Sequence, residues 1–168
     1  MLNAVVRGRV WKFGDNINTD IIYSGKYLSI TDPSQTAQHA FETTYPNFAK
    51  ETKPGDIIVA GKYFGCGSSR EQAAACLKYL GIGCIVAESF ARIYYRNAIN
   101  LGLPIVISPG ITKRVEEGHI LEVNPSKGSI KNISTGEEID AIPLPDFILK
   151  ILASGGLIPD LKKQLKST

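Results

Sequence analysis

The sequence contains no long apolar run and no large excess of charge of either sign. Of its 168 residues, 19 are Lys or Arg and 16 are Asp or Glu, so the formal net charge is +3. The longest apolar runs, such as residues 57–60, fall far short of the roughly 20 residues that cross a bilayer. The chain also lacks the basic blocks with which proteins bind nucleic acid. We therefore expect no membrane span and no nucleic-acid partner.

Cysteine is scarce as well. The three cysteines, Cys66, Cys76 and Cys84, are an odd number in a chain long enough to fold without covalent links. We expect reduced thiols rather than a disulfide framework. Residues 1–7 have too short an apolar run, and no basic region before it, to act as a secretory signal. These features predict a cytoplasmic protein.

What the chain does contain is an alternation of buried-strand and helix patterns. The segments at residues 56–60, 84–87 and 104–107 are almost wholly apolar, which is typical of strands that are covered on both faces. Helical segments at residues 68–80 and 90–100 separate these runs, and a glycine follows each helix closely. Such strand-helix-strand units predict parallel pairing with right-handed crossovers.

The remaining segments complete the predicted architecture. A strand is expected at residues 5–11 and a hairpin at 119–123 and 129–133, with a short strand at 21–23. A lid or side helix is expected at residues 33–50, a C-terminal helix at 145–153 and a last amphipathic turn or two at 159–165. With 43% hydrophobic and 21% charged residues, the composition is that of a globular protein. We predict a single α/β domain over residues 1–168, with a mixed sheet flanked by helices.

The strongest candidate for a functional site is the glycine-rich loop at residues 65–71, Gly-Cys-Gly-Ser-Ser-Arg-Glu. Its glycines let the backbone approach a ligand closely, and the start of the following helix presents free N–H groups to an anion. A purely structural interpretation is that Ser68 caps the helix, Glu71 completes a capping box and Arg70 is solvated. The loop lacks both the Lys-Ser/Thr of a phosphate loop and the Gly-x-Gly-x-x-Gly dinucleotide pattern, so we do not expect a nucleotide ligand.

Three segments of the chain resemble a known family. Residues 61–73, Gly-Lys-Tyr-Phe-Gly-Cys-Gly-Ser-Ser-Arg-Glu-Gln-Ala, resemble the active-site signature of the swivelling domain of the aconitase superfamily. Residues 89–93, with Asn97 and residues 102–104, resemble the next block of that domain, and residues 15–20 resemble its first loop. The resemblance implies the swivelling β/β/α fold and, at this length, the separate small subunit of a two-chain hydro-lyase.

The chemistry implied by this resemblance is the dehydration and rehydration of a 2-hydroxy dicarboxylate through an enzyme-bound alkene. The leaving hydroxide needs a Lewis acid, which in this family is a [4Fe-4S] cluster with one iron open to the substrate. The cysteines of this chain contain no close pair to hold a cluster, and Cys76 and Cys84 are expected to pack in the core. We therefore expect no metal ligand on this chain and the cluster on a partner large subunit.

The resemblance also assigns roles to individual residues. Ser68 is the base that removes the proton, acting as an alkoxide stabilised by helix-start N–H groups and nearby positive charge. Arg70 binds a substrate carboxylate through its planar guanidinium, together with Ser69. Asp20 of the first loop lies near the active site, although an Asx-type turn also explains an Asp there. The predicted catalytic residues are Ser68 and Asp20, and the predicted substrate-binding residues include Thr19, Gly67, Ser69 and Arg70.

By the same resemblance, residues 27–30 contact the group on the third carbon of the substrate. Ser29 and Ile30 give this segment an uncharged, partly apolar character that suits a branched alkyl group better than a third carboxylate. This favours isopropylmalate, and with it a role in leucine biosynthesis. Because Ser29 is neither large nor apolar, and because the flanking Lys26 can supply a charge, dimethylmalate and homoaconitate stay open as substrates.

Two other functions are compatible with the sequence. One is a non-catalytic module whose glycine loop holds a phosphate or carboxylate for regulation. The other is a structural domain that docks through Arg92, Tyr95 and Arg96. Arg92 and Arg96 lie four residues apart on the predicted helix, where both can reach a substrate or a partner chain. A homo-oligomer of the isolated chain is also compatible with the sequence.

Overall fold

The fold is built on one mixed sheet. The computed structural model describes residues 4–168, so part of the N-terminal stretch considered above lies outside the described residues. Within residues 4–168 the strands are β1 (Val6–Lys12), β2 (Ile57–Ala60), β3 (Cys84–Ala87), β4 (Ile105–Ile107), β5 (Ile120–Asn124), β6 (Ser129–Asn132) and β7 (Glu138–Asp140). They form a seven-stranded sheet in the order β4-β3-β2-β1-β5-β6-β7. Strands β1 to β4 pair in parallel, and β5 to β7 extend the sheet by antiparallel pairing. The predicted mixed sheet is confirmed.

The helices lie between and after the parallel strands. They are α1 (Thr19–Ile22), α2 (Pro33–Gln38), α3 (Phe48–Glu51), α4 (Glu71–Leu80), α5 (Arg92–Asn100), α6 (Asp146–Ala153) and α7 (Leu157–Lys166). Helix α4 connects β2 to β3 and α5 connects β3 to β4, which confirms the two predicted strand-helix-strand units. Because both units are parallel, each helix begins at the carboxyl edge of the sheet. In the part of the chain that is described, no helix is long and apolar enough to cross a membrane.

Apolar side chains cover both faces of the parallel strands. Along β2, Ile58 and Ala60 belong to the core under the helices, whereas Ile57 and Val59 belong to a second core on the other face. The second core also contains Leu121 and other apolar residues of β5, β6 and β7. The sheet therefore curls, and its antiparallel part covers the face that the helices leave open. This two-sided burial explains the continuous apolar runs of the parallel strands.

Two predicted elements are wrong in residues 19–50. Residues 21–23 were expected to form a strand, but α1 lies there because the Asn18 side chain accepts a hydrogen bond of 2.9 Å from the N–H of Ile21 and caps the turn. The side helix expected at residues 33–50 is divided into α2 and α3. Phe41, between them, is fully buried and has a φ of +53°, which no α-helix can accommodate.

Candidate active site

The loops that follow β1, β2 and β3 meet at the carboxyl edge of the parallel strands. The N–H of Thr19 donates a hydrogen bond of 2.9 Å to the carbonyl oxygen of Cys66, which ties the first loop to the second. The N–H of Ala91 donates a bond of 2.9 Å to the carbonyl oxygen of Phe64, which ties the second to the third. Ligand sites of open α/β sheets lie characteristically at this edge, where successive loops converge.

The second loop has an unusual backbone. Gly65 has a φ of +83°, and a Cβ atom placed on it would lie 2.1 Å from Cγ of the buried Tyr94, so glycine is required there twice over. Tyr63 has a φ of +60° although it is not a glycine, and its N–H donates a hydrogen bond of 2.8 Å to Oγ of Ser89. Tyr63 is 54% exposed, so core packing does not compensate the strain. Such conformations concentrate at functional sites.

These loops enclose an open cleft of about 560 Å³. The cleft combines hydroxyl groups, two guanidinium groups and an apolar wall, and within residues 4–168 no Asp or Glu side chain lines it. This composition suits an anionic ligand that also has an apolar part. The lining residues are Thr19, Tyr63, Gly65, Gly67, Ser68, Ser69, Arg70, Phe90, Ala91, Arg92, Ile93, Tyr94 and Asn97.

The hydroxyl group of Ser68 does not cap the helix. Helix α4 begins at Glu71, its N-cap position is Arg70, and no side chain caps it. The structural interpretation with Ser68 as cap and Glu71 as the third helical residue is therefore wrong. Oγ of Ser68 instead lies 3.3 Å from Oγ1 of Thr19, which in turn donates a bond of 3.0 Å to the carbonyl oxygen of Ser68. The exposed Ser68 hydroxyl therefore faces the cleft without a structural role in the helix start.

Arg70 connects the second loop to the first. Its Nη1 forms an ion pair with Asp20 and lies 3.4 Å from the carbonyl oxygen of Tyr23. The guanidinium also lies against Gly25, where an added Cβ would come within 3.2 Å of Nη2. Asn18, rather than Asp20, makes the local turn contact, so the Asx-turn interpretation of Asp20 is wrong. Asp20 lies outside the cleft lining and is linked to it by the ion pair with Arg70.

The structure brings most of the predicted site residues together, but not the segment predicted to select the substrate. Thr19, Gly67, Ser68, Ser69 and Arg70 all line the cleft. Ser29 is exposed and Ile30 is half-buried, and neither lies among the residues that line it. They follow the turn at Gly25–Tyr27, in which Gly25 packs against Arg70 of the site.

Sequence reasoning missed the apolar wall of the cleft and left Arg92 undecided. Tyr63, Phe90 and Ile93 line the cleft, and Ile93 is 52% exposed. Arg92 lines it as well, whereas Arg96, one turn further along α5, does not. One available signal was the position of Arg92 at the start of the helix after β3, which corresponds to the position of Arg70 after β2.

The thiols of this chain do not fit an iron-sulfur cluster. Cys76 is fully buried in the core under the helices, and Cys84 is fully buried in the second core, on the opposite face of the sheet. Burial raises the pKa of both thiols and disfavours the thiolate form that ligates metals. Among residues 4–168, no group of three or more His, Cys, Asp and Glu side chains is placed to hold a metal ion.

This burial predicts the reactivity of the thiols. A disulfide reagent such as Ellman's reagent should modify one thiol, Cys66, in the folded protein, and the other two only after denaturation, because only Cys66 is partly accessible. Cys66→Ser should abolish the labelling of the folded protein, and two thiols should still become reactive when the variant is denatured. Rapid labelling of Cys76 or Cys84 in the folded chain would contradict the described core.

Comparisons with known proteins identify the family of this chain. Residues 13–110 match the aconitase C-terminal domain family. The 3-isopropylmalate dehydratase small subunit 1 of Methanopyrus kandleri is 53% identical over 97% of this chain and 96% of its own length. The isopropylmalate/citramalate isomerase small subunit of Methanocaldococcus jannaschii is 53% identical over 98% of both chains.

A solved structure gives the same result at the level of the fold. A crystal structure titled 3-isopropylmalate dehydratase, from Methanocaldococcus jannaschii, is 45% identical to this chain and superposes on it with a TM-score of 0.91. The superposition covers 96% of this chain and 95% of that one. Since the family match, the nearly full-length identity and the fold all agree, this chain belongs to the aconitase C-terminal domain family and, within it, to the small subunits of 3-isopropylmalate dehydratase, a hydro-lyase of leucine biosynthesis.

Proposed function

We propose that this chain supplies the proton-transfer half of a two-chain hydro-lyase that interconverts 2-isopropylmalate and 3-isopropylmalate. The observation that carries the proposal is the exposed Ser68 hydroxyl, which lies in a cleft with Arg70 and is not used to cap α4. Removing a weakly acidic C–H proton beside a carboxylate requires a base, and it requires positive charge near the carboxylate as negative charge develops. This chain offers a candidate for each requirement at adjacent positions of one loop.

Ser68 acts as an alkoxide that accepts the substrate proton. The electron pair of the broken C–H bond forms the carbon-carbon double bond as hydroxide leaves the neighbouring carbon. Rehydration runs in the opposite sense: water adds across the alkene with the hydroxyl on the other carbon, and the Ser68 hydroxyl returns its proton to the carbon that had lost the hydroxyl. The chemistry that activates the leaving hydroxide falls to the other chain, because residues 4–168 of this one offer no group of side chains that fits a metal cluster.

The surroundings of Ser68 support an alkoxide. Oγ1 of Thr19, 3.3 Å from Oγ of Ser68, has a single proton that it gives to the Ser68 carbonyl oxygen in the resting state. Rotation of this hydroxyl turns the same proton toward Oγ once Ser68 is deprotonated. The uncapped start of α4, directly after the loop, adds the free N–H groups and partial positive charge of a helix N-terminus.

Arg70 and Ser69 bind the carboxylate of the substrate next to this base. Both residues line the cleft, and Gly67 lets the backbone approach the ligand at this point. The ion pair with Asp20 and the contact with Gly25 hold the guanidinium in place, so that little conformational entropy is lost when substrate binds. Asp20 is therefore a positioning residue in this proposal, rather than a group that exchanges a proton with substrate.

The proposed partner is the large subunit of the enzyme, which would supply the chemistry that this chain lacks. Membership of the aconitase family implies an iron-sulfur cluster in the enzyme, and we assign that cluster to a large subunit. The large subunit closes the open side of the cleft and supplies the Lewis acid. Residues 1–168 act as one domain in this arrangement, and the three free thiols suit a reducing, cytoplasmic compartment.

Isopropylmalate is the substrate that the cleft supports best. Its isopropyl group matches the apolar wall formed by Tyr63, Phe90 and Ile93, on which a third carboxylate would be poorly solvated. One relative at 53% identity is named an isopropylmalate/citramalate isomerase, so citramalate is the second candidate. It presents a methyl group to the same wall and gains less from it.

The test of this proposal is reconstitution of the two chains. This chain and the large subunit from the same organism should be inactive separately and interconvert the isopropylmalates when mixed under anaerobic conditions. We expect kcat/KM for 3-isopropylmalate to exceed that for homoaconitate by roughly 100-fold or more, because a charged group would face the apolar wall. The reverse ranking would refute the substrate, and turnover by this chain alone would refute the division of labour.

A further inference from the structure

Besides Arg70, the cleft contains a second guanidinium group that the proposed reaction has not used. Arg92 lines the cleft and is exposed, whereas Arg96 on the same helix is exposed outside it. Arg70 and Arg92 are the charged residues among those that line the cleft, and both are positive. Two like charges facing one cleft repel each other, so the arrangement is most stable when an anionic ligand lies between them.

The two arginines occupy equivalent places in neighbouring units of the fold. β2 and β3 are adjacent and in register, with Ala60 paired to Ala87 at their carboxyl ends. Arg70 is the N-cap residue of α4, and Arg92 is the first residue of α5. Neither helix has a side-chain cap, so each arginine stands beside a set of free N–H groups. The fold thus offers two positive positions side by side.

The two arginines differ in how their charge is compensated. Arg70 is paired with Asp20, so part of its charge is neutralised before a ligand binds. The ion pairs found within residues 4–168 do not include Arg92. A dicarboxylate brings two negative charges into the cleft, and Arg70 alone cannot balance both, whereas Arg92 is available for the second carboxylate.

We propose that Arg92 binds the second carboxylate of the substrate and thereby makes the site selective for dicarboxylates. The proposal rests on the proposed function, since it concerns the substrate of the same cleft. Arg70 holds the carboxylate beside the proton that Ser68 removes, and Arg92 holds the other carboxylate. This two-point attachment fixes the direction of the carbon skeleton and leaves the alkyl group toward Tyr63 and Ile93.

Three variants of the assembled two-chain enzyme test this role: Arg92→Gln, Arg92→Lys and the matched control Arg96→Gln. Loss of a charge-assisted contact predicts that Arg92→Gln raises KM for isopropylmalate roughly 10- to 100-fold. Its kcat should fall less, because the base and the Arg70 contact remain. Arg92→Lys should recover part of the affinity, and Arg96→Gln should behave as the unaltered enzyme.

Two further measurements separate substrate binding from a role in assembly. Competitive inhibition should lose its preference for a dicarboxylate such as succinate over a monocarboxylate such as butyrate in Arg92→Gln, but not in Arg96→Gln. The dissociation constant of the two chains, measured by calorimetry without substrate, should be unchanged. An unchanged KM and preference, or a weakened complex that accounts for the lost activity, would overturn the role of Arg92. Failure of the unaltered complex to turn over isopropylmalate would instead overturn the proposed function.

Discussion

Replacement of Ser68 by Ala is expected to reduce kcat of the assembled enzyme by about a thousandfold while changing KM by less than about threefold, within the range that general base catalysis contributes. The hydroxyl faces the cleft, and the helix start does not depend on it, so its removal deletes the proposed base without unfolding the loop. Substrate affinity should persist because Arg70 and Ser69, which also line the cleft, are untouched.

A direct measurement of proton abstraction distinguishes this role from a general loss of activity. The unaltered complex should exchange the abstracted hydrogen of the substrate with deuterium from solvent, and Ser68→Ala should lose this exchange to the same extent as turnover. Ser129→Ala, an exposed serine on β6 in the antiparallel part of the sheet, is the matched control and should exchange normally. Retention of more than a tenth of the exchange rate by Ser68→Ala would mean that another group is the base.

The central strands were predictable because their burial leaves a simple mark on the sequence. Residues 57–60 and 84–87 are covered by helices on one face and by the curled antiparallel strands on the other, so all their side chains are apolar. The glycine after α4 marked the helix end equally well, since Gly81 has the positive φ of a C-terminal cap. The strand β7 has only three residues, of which one is buried, and this gave too short a pattern to predict.

The site was predictable in part because its central loop is one continuous segment. Ser68, Ser69 and Arg70 are neighbours in the chain, and their loop carries its own glycine signal. The contribution of Arg92 depends on the parallel pairing of β2 and β3, which brings two helix starts to one edge of the sheet. The spacing of residues along the sequence does not show that these two helix starts lie at one edge. Ser29, by contrast, was assigned by resemblance alone, and in this chain it is exposed and is not among the residues that line the cleft.

In the loop that follows β2, a substitution at Gly65 is expected to have a large effect on stability. Gly65→Ala should lower the free energy of unfolding by about 4 kcal/mol, since the new Cβ combines a positive φ with an overlap that the core cannot relieve. The overlapped atom belongs to Tyr94, which is buried, packs edge-on against Phe64 and donates a hydrogen bond of 3.0 Å to the carbonyl oxygen of Ala73. Moving the Tyr94 ring away from the new Cβ would therefore disturb both its contact with Phe64 and its hydrogen bond to Ala73.

Gly110→Ala is the control that isolates the overlap from the backbone strain. Gly110 has a φ of +78°, close to that of Gly65, but no atom lies within 4 Å of the added Cβ. We expect this variant to lose only about 1 kcal/mol, the cost of a positive φ for a non-glycine residue. Urea unfolding of the three proteins gives both values, and the difference measures the overlap at Tyr94. An equal loss of unfolding free energy in the two variants would show that the loop moves away from the Tyr94 ring. In that case Gly65→Ala should lose turnover, because the movement of the loop would displace Ser68.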